Sequence, residues 1–428
     1  MKRPRAAIFS RRHKETRPQN TADQPAVFGQ EVELPSDPVG GVRCESQGSL
    51  PRRNEFSEQS VGIYHDYFAI RGGGERLVLT LARELQATLI YGYRSDKSFE
   101  VSAFPPDTRA LAFPAALRRE GVRSFALSSY FWGERTRARD YRVRIFSGVA
   151  APFAAPPKGC GGVNIFYCHT PPRFLYDKRA HFLAQLGWPA RILAPVALKV
   201  FGWAYRRAVE RMDVIVTNSE TTQARVAKYL GRDSAVVHPP IDTELFVWKG
   251  QGDYYLSTAR LTSLKRVGQI VEAFLRMPHK KLIVASGGED ADLLRAKAAS
   301  APNIEFRGWV SDAEIRDLVG NSIATIYVPM DEDFGMSPVE SMAAGKPVIG
   351  VAEGGLQETV LPNETGLLLN AGFTVNDLVN AVSALAPERA LLMRRACEAR
   401  ALLFSKDKFI NGIRRIIDDA SRQPGDTA

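Results

Sequence analysis

Long apolar runs are what this sequence most conspicuously lacks. None of its 428 residues falls in an uninterrupted apolar stretch of the roughly 20 residues that a membrane-spanning helix needs, so no transmembrane helix is expected. The most apolar segment, Phe182 to Tyr205, is broken by Pro189, Arg191, Pro195 and Lys199. It reads as an amphipathic helix, either packed in a core or facing a membrane. Cysteine is scarce: Cys44, Cys160, Cys168 and Cys397 show neither paired nor metal-ligand spacing, and the first residues hold no apolar signal-peptide core. A reducing, cytoplasmic setting is the expectation. Also absent are the G-x-G-x-x-G spacing of a dinucleotide fold and any recognised nucleic-acid motif.

What is present suits a soluble globular protein of two domains, with 45% hydrophobic and 24% charged residues. The formal charge of +10 is uneven, because the first twenty residues oppose seven cations to Glu15 alone. Residues 1–58 are rich in Arg, Gln, Ser, Pro and Gly without a sustained apolar period, and are expected to be a disordered basic tail. A second basic stretch, Arg118 to Arg144, interleaves Arg119, Arg123, Arg137 and Arg142 with Phe131 and Trp132. It could meet an anionic lipid surface or nucleic acid, or be a solvated face.

From Val61 the pattern changes to strand, glycine loop, helix and strand: "VGIYHDYF", "RGGGERLVLTLARELQ" with Leu77, Leu81 and Leu85 on one face, and "ATLIYGY". "VNIFYCH" and "MDVIVTNS" follow as buried strands. The turn-rich "HPPIDTELFVWKGQGD" then separates a second run whose strands "YYLSTA", "KLIVASGG", "IEFRGW", "ATIYVP", "PVIGVA" and "GLLLN" alternate with helical periods. Strand–helix alternation on both sides implies α/β architecture, with two Rossmann-like, doubly wound domains facing across a cleft. The expected division is an N-terminal domain over 59–238, a linker over 239–253, a C-terminal domain over 254–403, and a last segment, 404–428, whose helix packs back on the first domain.

Three places offer an anion site. Gly72-Gly73-Gly74-Glu75 lies between a strand and a helix, where bare amides and a helix N-terminus favour negative charge; a tight turn is the plainer reading. Arg260 and Lys265 stand on the loop leaving the first strand of the second half and suit a diphosphate, one by its fork and the other as a point charge. Gly335 and the helix beginning near Ser337 expose amides through Val339. Two carboxylates, Glu332 and Glu340, flank that last cradle in "EDFGMSPVESMAAGKPVIG". Ser337-Pro338-Val339-Glu340 reads as a capping box, so Glu340 has a structural explanation; Glu332, outside the helix, has none. Carboxylates accept bonds from sugar hydroxyls, and so the ligand implied is a nucleoside diphosphate bearing a sugar.

"EDFGMSPVE" resembles the E-x-F-G-x(4)-E pattern of retaining glycosyltransferases of family 4, which have the GT-B fold. "GGGE", "VTNS", "PPIDTELF" and "RLTSLK" resemble that family's other motifs, and "FYCHTPPRFLYD" is similar to a segment of bacterial mannosyl-transferring members that build polysaccharides. The resemblance spans about residues 60 to 420. Ala259 departs from it, where glycine is usual. It implies that Glu332 contacts the donor sugar and Glu340 the ribose, while Arg260 and Lys265 hold the leaving diphosphate. His169 lies beside the sugar and Arg173 near the acceptor side. Gly73, Gly74, Phe334, Gly335, Met336, Ser337 and Val339 line the substrate site. It further implies same-face substitution with retention, GDP-mannose as donor rather than a UDP-sugar, and a lipid-linked or saccharide acceptor at the inner membrane face. No cofactor and no metal are expected, although Asp331 and Asp333 form a D-x-D. A UDP-sugar-dependent relative, a non-catalytic nucleotide-sugar-binding protein or a nucleic-acid binder are the alternatives.

Overall fold

The computed structural model describes residues 61–422 apart from 120, 185 and 189, all within one compact unit; the expected disordered tail lies outside the described residues. Seven strands, β1 (Val61–His65), β2 (Thr88–Tyr91), β3 (Thr108–Ala110), β4 (Val143–Ser147), β5 (Val163–Cys168), β6 (Val214–Thr217) and β7 (Ala235–Val236), form the first sheet. Their order is β3-β2-β1-β4-β5-β6-β7, and every pairing is parallel. Six more, β8 (Tyr254–Ser257), β9 (Lys281–Val284), β10 (Ile304–Phe306), β11 (Thr325–Ile326), β12 (Val348–Val351) and β13 (Gly366–Leu369), form the second. They run β10-β9-β8-β11-β12-β13, again all parallel. Two doubly wound α/β sheets are therefore present, as the alternation of elements predicts.

Each sheet reverses its strand order once, between β1 and β4 in the first and between β8 and β11 in the second. At such a reversal the outgoing connections part to opposite faces and leave a crevice at the carboxyl ends of the strands. The glycine loop leads into helix Gly73–Glu84, whose Leu77, Val78 and Leu81 are buried under the first sheet.

β4, the central strand of the first sheet, is not apparent from the sequence. "YRVRIFSG" places Arg142 and Arg144 where an apolar pattern is looked for and falls at the end of the stretch that reads as a basic face. In the fold Arg144 is only 1% exposed and donates to the Gly161 carbonyl. Phe131 of the same stretch is wholly buried, while Trp132 remains half exposed with Arg135 over its ring. Arg118 to Arg144 is thus partly core and not one continuous surface. Cys168 and Cys397 are buried free thiols.

Helix Lys406–Arg422 returns to the first sheet. Phe409, Ile410 and Ile413 enter the cluster that holds Leu77, Val78 and Tyr167, with the Phe409 ring 5.9 Å from that of Tyr167. The chain therefore crosses between the sheets twice, and the two crossings are tied by Ile241 donating its amide to the Phe404 carbonyl at 2.9 Å. Phe409, 2% exposed, is the anchor. Phe409→Ala is expected to cost about 3–5 kcal/mol in chemical denaturation followed on the first domain, and an unchanged midpoint would mean that this helix contributes nothing to that core.

Candidate functional site

The second sheet brings its charged residues together at the β8/β11 reversal. After β8 the chain passes Arg260, exposed, and reaches Lys265 in a short 3-10 turn, Ser263–Lys265. After β11 it passes Tyr327 and turns back through Glu332. Lys265 donates to the Tyr327 hydroxyl at 3.0 Å and forms an ion pair with Glu332. Burial and the neighbouring carboxylates, Glu332 foremost, push the Tyr327 phenol well up, so it stays protonated. Two glycines missed by the sequence reading hold this loop. Gly354 has φ of +58°, and a Cβ there would lie 2.0 Å from the Glu332 carbonyl oxygen. Gly355 donates its amide to that same oxygen at 2.9 Å.

Beside Glu332 stands helix Met336–Ala343, capped by Gly335 at φ of +85° with no side-chain cap. The capping box expected from Ser337-Pro338-Val339-Glu340 does not form. The helix starts two residues earlier, at Met336 with Gly335 as its N-cap, because glycine takes the left-handed conformation there without a Cβ penalty and Ser337 falls inside the first turn. The first amides are therefore unoccupied by any side-chain oxygen of the helix, and Glu340 is turned to the other domain, 3.7 Å from the Arg76 guanidinium. Burial raises the Glu340 carboxyl while Arg76 opposes. Phe334 and Val339 are buried, with Phe334 against the rings of His238 and Phe404, so only their backbone can face a ligand.

Across the cleft, Gly73 faces Met336 so closely that a Cβ would lie 2.3 Å from the thioether sulfur, and a Cβ at Gly74 would lie 3.4 Å from the His169 ring. The glycine run thus brings the first domain against the second domain's helix N-terminus. Burial pushes the Glu75 carboxyl up to about 7 against the pull of Arg260, which leaves this loop only partly charged at neutral pH.

His169 follows β5 and belongs to a chain that the sequence does not show. Its Nε2 lies 2.8 Å from the Ser147 hydroxyl, and that hydroxyl lies 3.1 Å from His65 Nδ1. His65 and Ser147 end β1 and β4 and His169 immediately follows β5, so the chain lies across the first sheet's reversal. One hydroxyl has one proton to donate, and so the tautomers of the two imidazoles are coupled through it. Burial lowers His169 to about 4 and His65 to about 3, and both rings are neutral at physiological pH.

An ionic seam joins the domains around the acidic triplet. Arg173 donates to the Asp331 carbonyl at 3.2 Å and to its carboxylate at 3.3 Å, while also holding Asp177. Arg225 pairs with Asp333 and reaches the Asp331 carbonyl at 3.3 Å. Burial pushes Asp333 up to about 6 despite Arg225. Glu358 accepts from the Glu220 and Thr221 amides at 2.7 and 2.8 Å, at the N-terminus of helix Glu220–Leu230, where a carboxylate is favoured. Burial alone would raise the Glu358 carboxyl, but His238 and these amides hold it below the usual range. Arg76, Arg225 and Glu358 do not stand out in the sequence, since their partners lie more than a hundred residues away in the chain.

Comparison with known proteins agrees with this arrangement. The family described as Glycosyltransferase Family 4 matches residues 71–245, and Glycosyl transferases group 1 matches residues 243–401. The alpha-1,3/1,6-mannosyltransferase ALG2 of Dictyostelium discoideum is 36% identical over 436 residues, 86% of this chain and 96% of its own. A GDP-mannose-dependent alpha-(1-6)-phosphatidylinositol monomannoside mannosyltransferase of Mycobacterium tuberculosis is 28% identical over 276 residues, 57% of this chain and 67% of its own. In fold the chain resembles Anabaena HepE, solved with UDP and glucose, at TM-score 0.65 and 15% identity, covering 84% of this chain and 99% of HepE. It also resembles WaaG, a glycosyltransferase involved in lipopolysaccharide biosynthesis, at TM-score 0.62 and 13% identity over 85% of this chain and 100% of WaaG. With two GT-B domains, the Lys265–Glu332 pair beside an uncapped helix, and these relatives, the chain belongs to the family 4, group 1 glycosyltransferases.

Proposed function

We propose that the chain transfers mannose from GDP-mannose to a lipid-linked or saccharide acceptor, with retention and without a metal. The observation that carries this reading is the Lys265–Glu332 pair at a strand reversal, next to a helix N-terminus without a side-chain cap. The donor base and sugar rest on two relatives, one named a mannosyltransferase and the other GDP-mannose-dependent.

As the sugar–oxygen bond breaks, its electron pair passes to the leaving GDP and adds one negative charge to the β-phosphate, which needs stabilising. Arg260, Lys265 and the amides from Gly335 onward are the groups for that charge. Glu332, its orientation set by Lys265 and by the Gly354-Gly355 turn, accepts from sugar hydroxyls, and Glu340 from the ribose. Neutral His169, facing Gly74, lies on the sugar's other side, with Arg173 toward the acceptor. Glu332 is paired with Lys265 and Glu340 faces Arg76, so neither carboxylate is left as an uncommitted nucleophile for double displacement. Same-face substitution, in which the departing phosphate takes the acceptor's proton, is the reading this favours. Asp331 and Asp333 are matched by Arg173 and Arg225, and the positive charge a metal would bring is supplied by Lys265 and Arg260.

Lys265→Ala and Arg260→Ala should each lower kcat by about 10²–10³-fold with the fold intact, in assays that EDTA leaves unaffected. Near-wild-type turnover in both, or loss of activity in EDTA restored by Mn²⁺ or Mg²⁺, would overturn the assignment of the charge-stabilising groups.

Calorimetry distinguishes the donor and the role of His169. GDP should bind more tightly than UDP, and His169→Ala should leave GDP binding within about threefold while kcat falls at least tenfold, because the nucleotide contacts come from the other domain. Tighter UDP binding would refute the donor; lost GDP binding in the variant would refute a role at the sugar.

A further inference from the structure

Helix Ala190–Val209 has two apolar faces where a surface helix ordinarily has one. Its inner face buries Leu198, Phe201, Tyr205, Ala208 and Val209 in the first domain. Its outer face exposes Ile192, Leu193, Val196, Val200 and Trp203, each between 59% and 69% exposed, and Trp188 just before it is 82% exposed. The five recur at i, i+1, i+4, i+8 and i+11, which is one side of a helix. They form a stripe, not scattered contacts of the kind every surface carries. No helix among the described residues is long and apolar enough to cross a membrane.

Charge around this stripe is predominantly of one sign. From Asp177 to Glu210 the sequence sets Lys178, Arg179, Arg191, Lys199, Arg206 and Arg207 against those two terminal acids alone, and Asp177 is held by Arg173 while Glu210 lies 3.9 Å from Arg207. An apolar stripe with tryptophans, bordered by a net excess of cations, matches the interfacial layer of a bilayer that contains anionic lipid. We propose that the outer face of helix Ala190–Val209 is the membrane-docking surface of this protein, lying in the plane of an anionic bilayer with Trp188 and Trp203 at headgroup depth.

The place of the helix gives the docking a consequence for the reaction. Its inner face packs on the turn that carries His169 and Arg173: the Phe174 ring lies 6.0 Å from that of Phe201, and Leu175 lies beside Gly202. From the same turn Lys178 reaches Met330 of the second domain at 3.9 Å. A docked helix therefore holds the acceptor side of the cleft at the bilayer surface, where the head of a lipid-linked acceptor is presented. This last step rests on the acceptor class proposed above, whereas the docking surface does not.

Flotation of the full-length protein with phosphatidylcholine vesicles, with and without phosphatidylglycerol, tests the surface. The seven cations among the first twenty residues attract anionic vesicles by charge alone, so partitioning is compared at low salt and at high salt, where that attraction is screened. Wild type should float with anionic vesicles and keep a salt-resistant fraction, and tryptophan emission should shift to shorter wavelength on binding. The triple variant Ile192→Ser, Val196→Ser, Trp203→Ser, whose changes are all at exposed positions, should lose the salt-resistant fraction by about tenfold or more. Its donor turnover toward a water-soluble acceptor should be unchanged, which also reports that it is folded. Equal salt-resistant flotation of variant and wild type would overturn the proposal. So would wild type that ignores vesicles but self-associates through this face, with the variant monomeric, since the occupant would then be a second copy. Failure of GDP-mannose turnover alongside normal flotation would count against the donor and leave the docking surface standing.

Discussion

The acidic triplet Asp331-Glu332-Asp333 is held from two directions, and the site depends on that. Its outer members answer to arginines of the first domain, Arg173 and Arg225, while its middle member answers to Lys265 of its own domain. Asp331 takes a left-handed backbone at φ of +56°, and the turn sends Asp331 and Asp333 to the first domain's arginines and Glu332 to Lys265. One turn can therefore serve the domain seam with Asp331 and Asp333 and the cleft with Glu332. Loosening the seam would move Glu332, and loosening the Gly354-Gly355 turn behind it would do the same from within. Charge in the triplet is dense, yet every carboxylate has a cation, which is what permits three adjacent acids to be half-buried at all.

The two sheets contribute differently to this cleft. The second supplies charge: Lys265, Arg260, the helix amides and Glu340. From the first come neutral groups set by burial, since His65 and His169 share the Ser147 hydroxyl and neither is protonated at physiological pH. A neutral imidazole can accept or donate a hydrogen bond without adding charge beside the anionic leaving group or an oxocarbenium-like sugar. Gly73 lets the first domain's loop lie against the Met336 side chain of the second. That contact and the Arg76–Glu340 pair join the two domains across the cleft.

Much of this was legible in the sequence because parallel strands show as apolar runs ending in polar residues, and a site at strand ends inherits those endings. His169 stands out as the residue after a strand and Lys265 as a cation on the loop leaving one, while Glu332 stands out as a carboxylate outside the helix in the E-x-F-G pattern. Other features were hidden for physical reasons. β4 carries Arg144, whose buried guanidinium breaks the apolar run that marks a central strand, and with β4 went Ser147. The seam residues Arg76, Arg225 and Glu358 look like ordinary surface charges until the fold places their partners. Ser337 misled in the opposite sense: a capping pattern was present, but Gly335 began the helix first. The exposed stripe on helix Ala190–Val209 was visible as an apolar segment, while which face it buried could be decided only by packing.

Central to the account is that Lys265 and Glu332 act on the donor as one unit. A double-mutant cycle on mannosyl transfer from GDP-mannose, with Lys265→Ala, Glu332→Gln and the double variant, measures this directly through kcat/KM. The account predicts that the double variant is scarcely worse than the poorer single variant, because each change already dismantles the unit. Losses that multiply in the double variant, as for two independent groups, would contradict it.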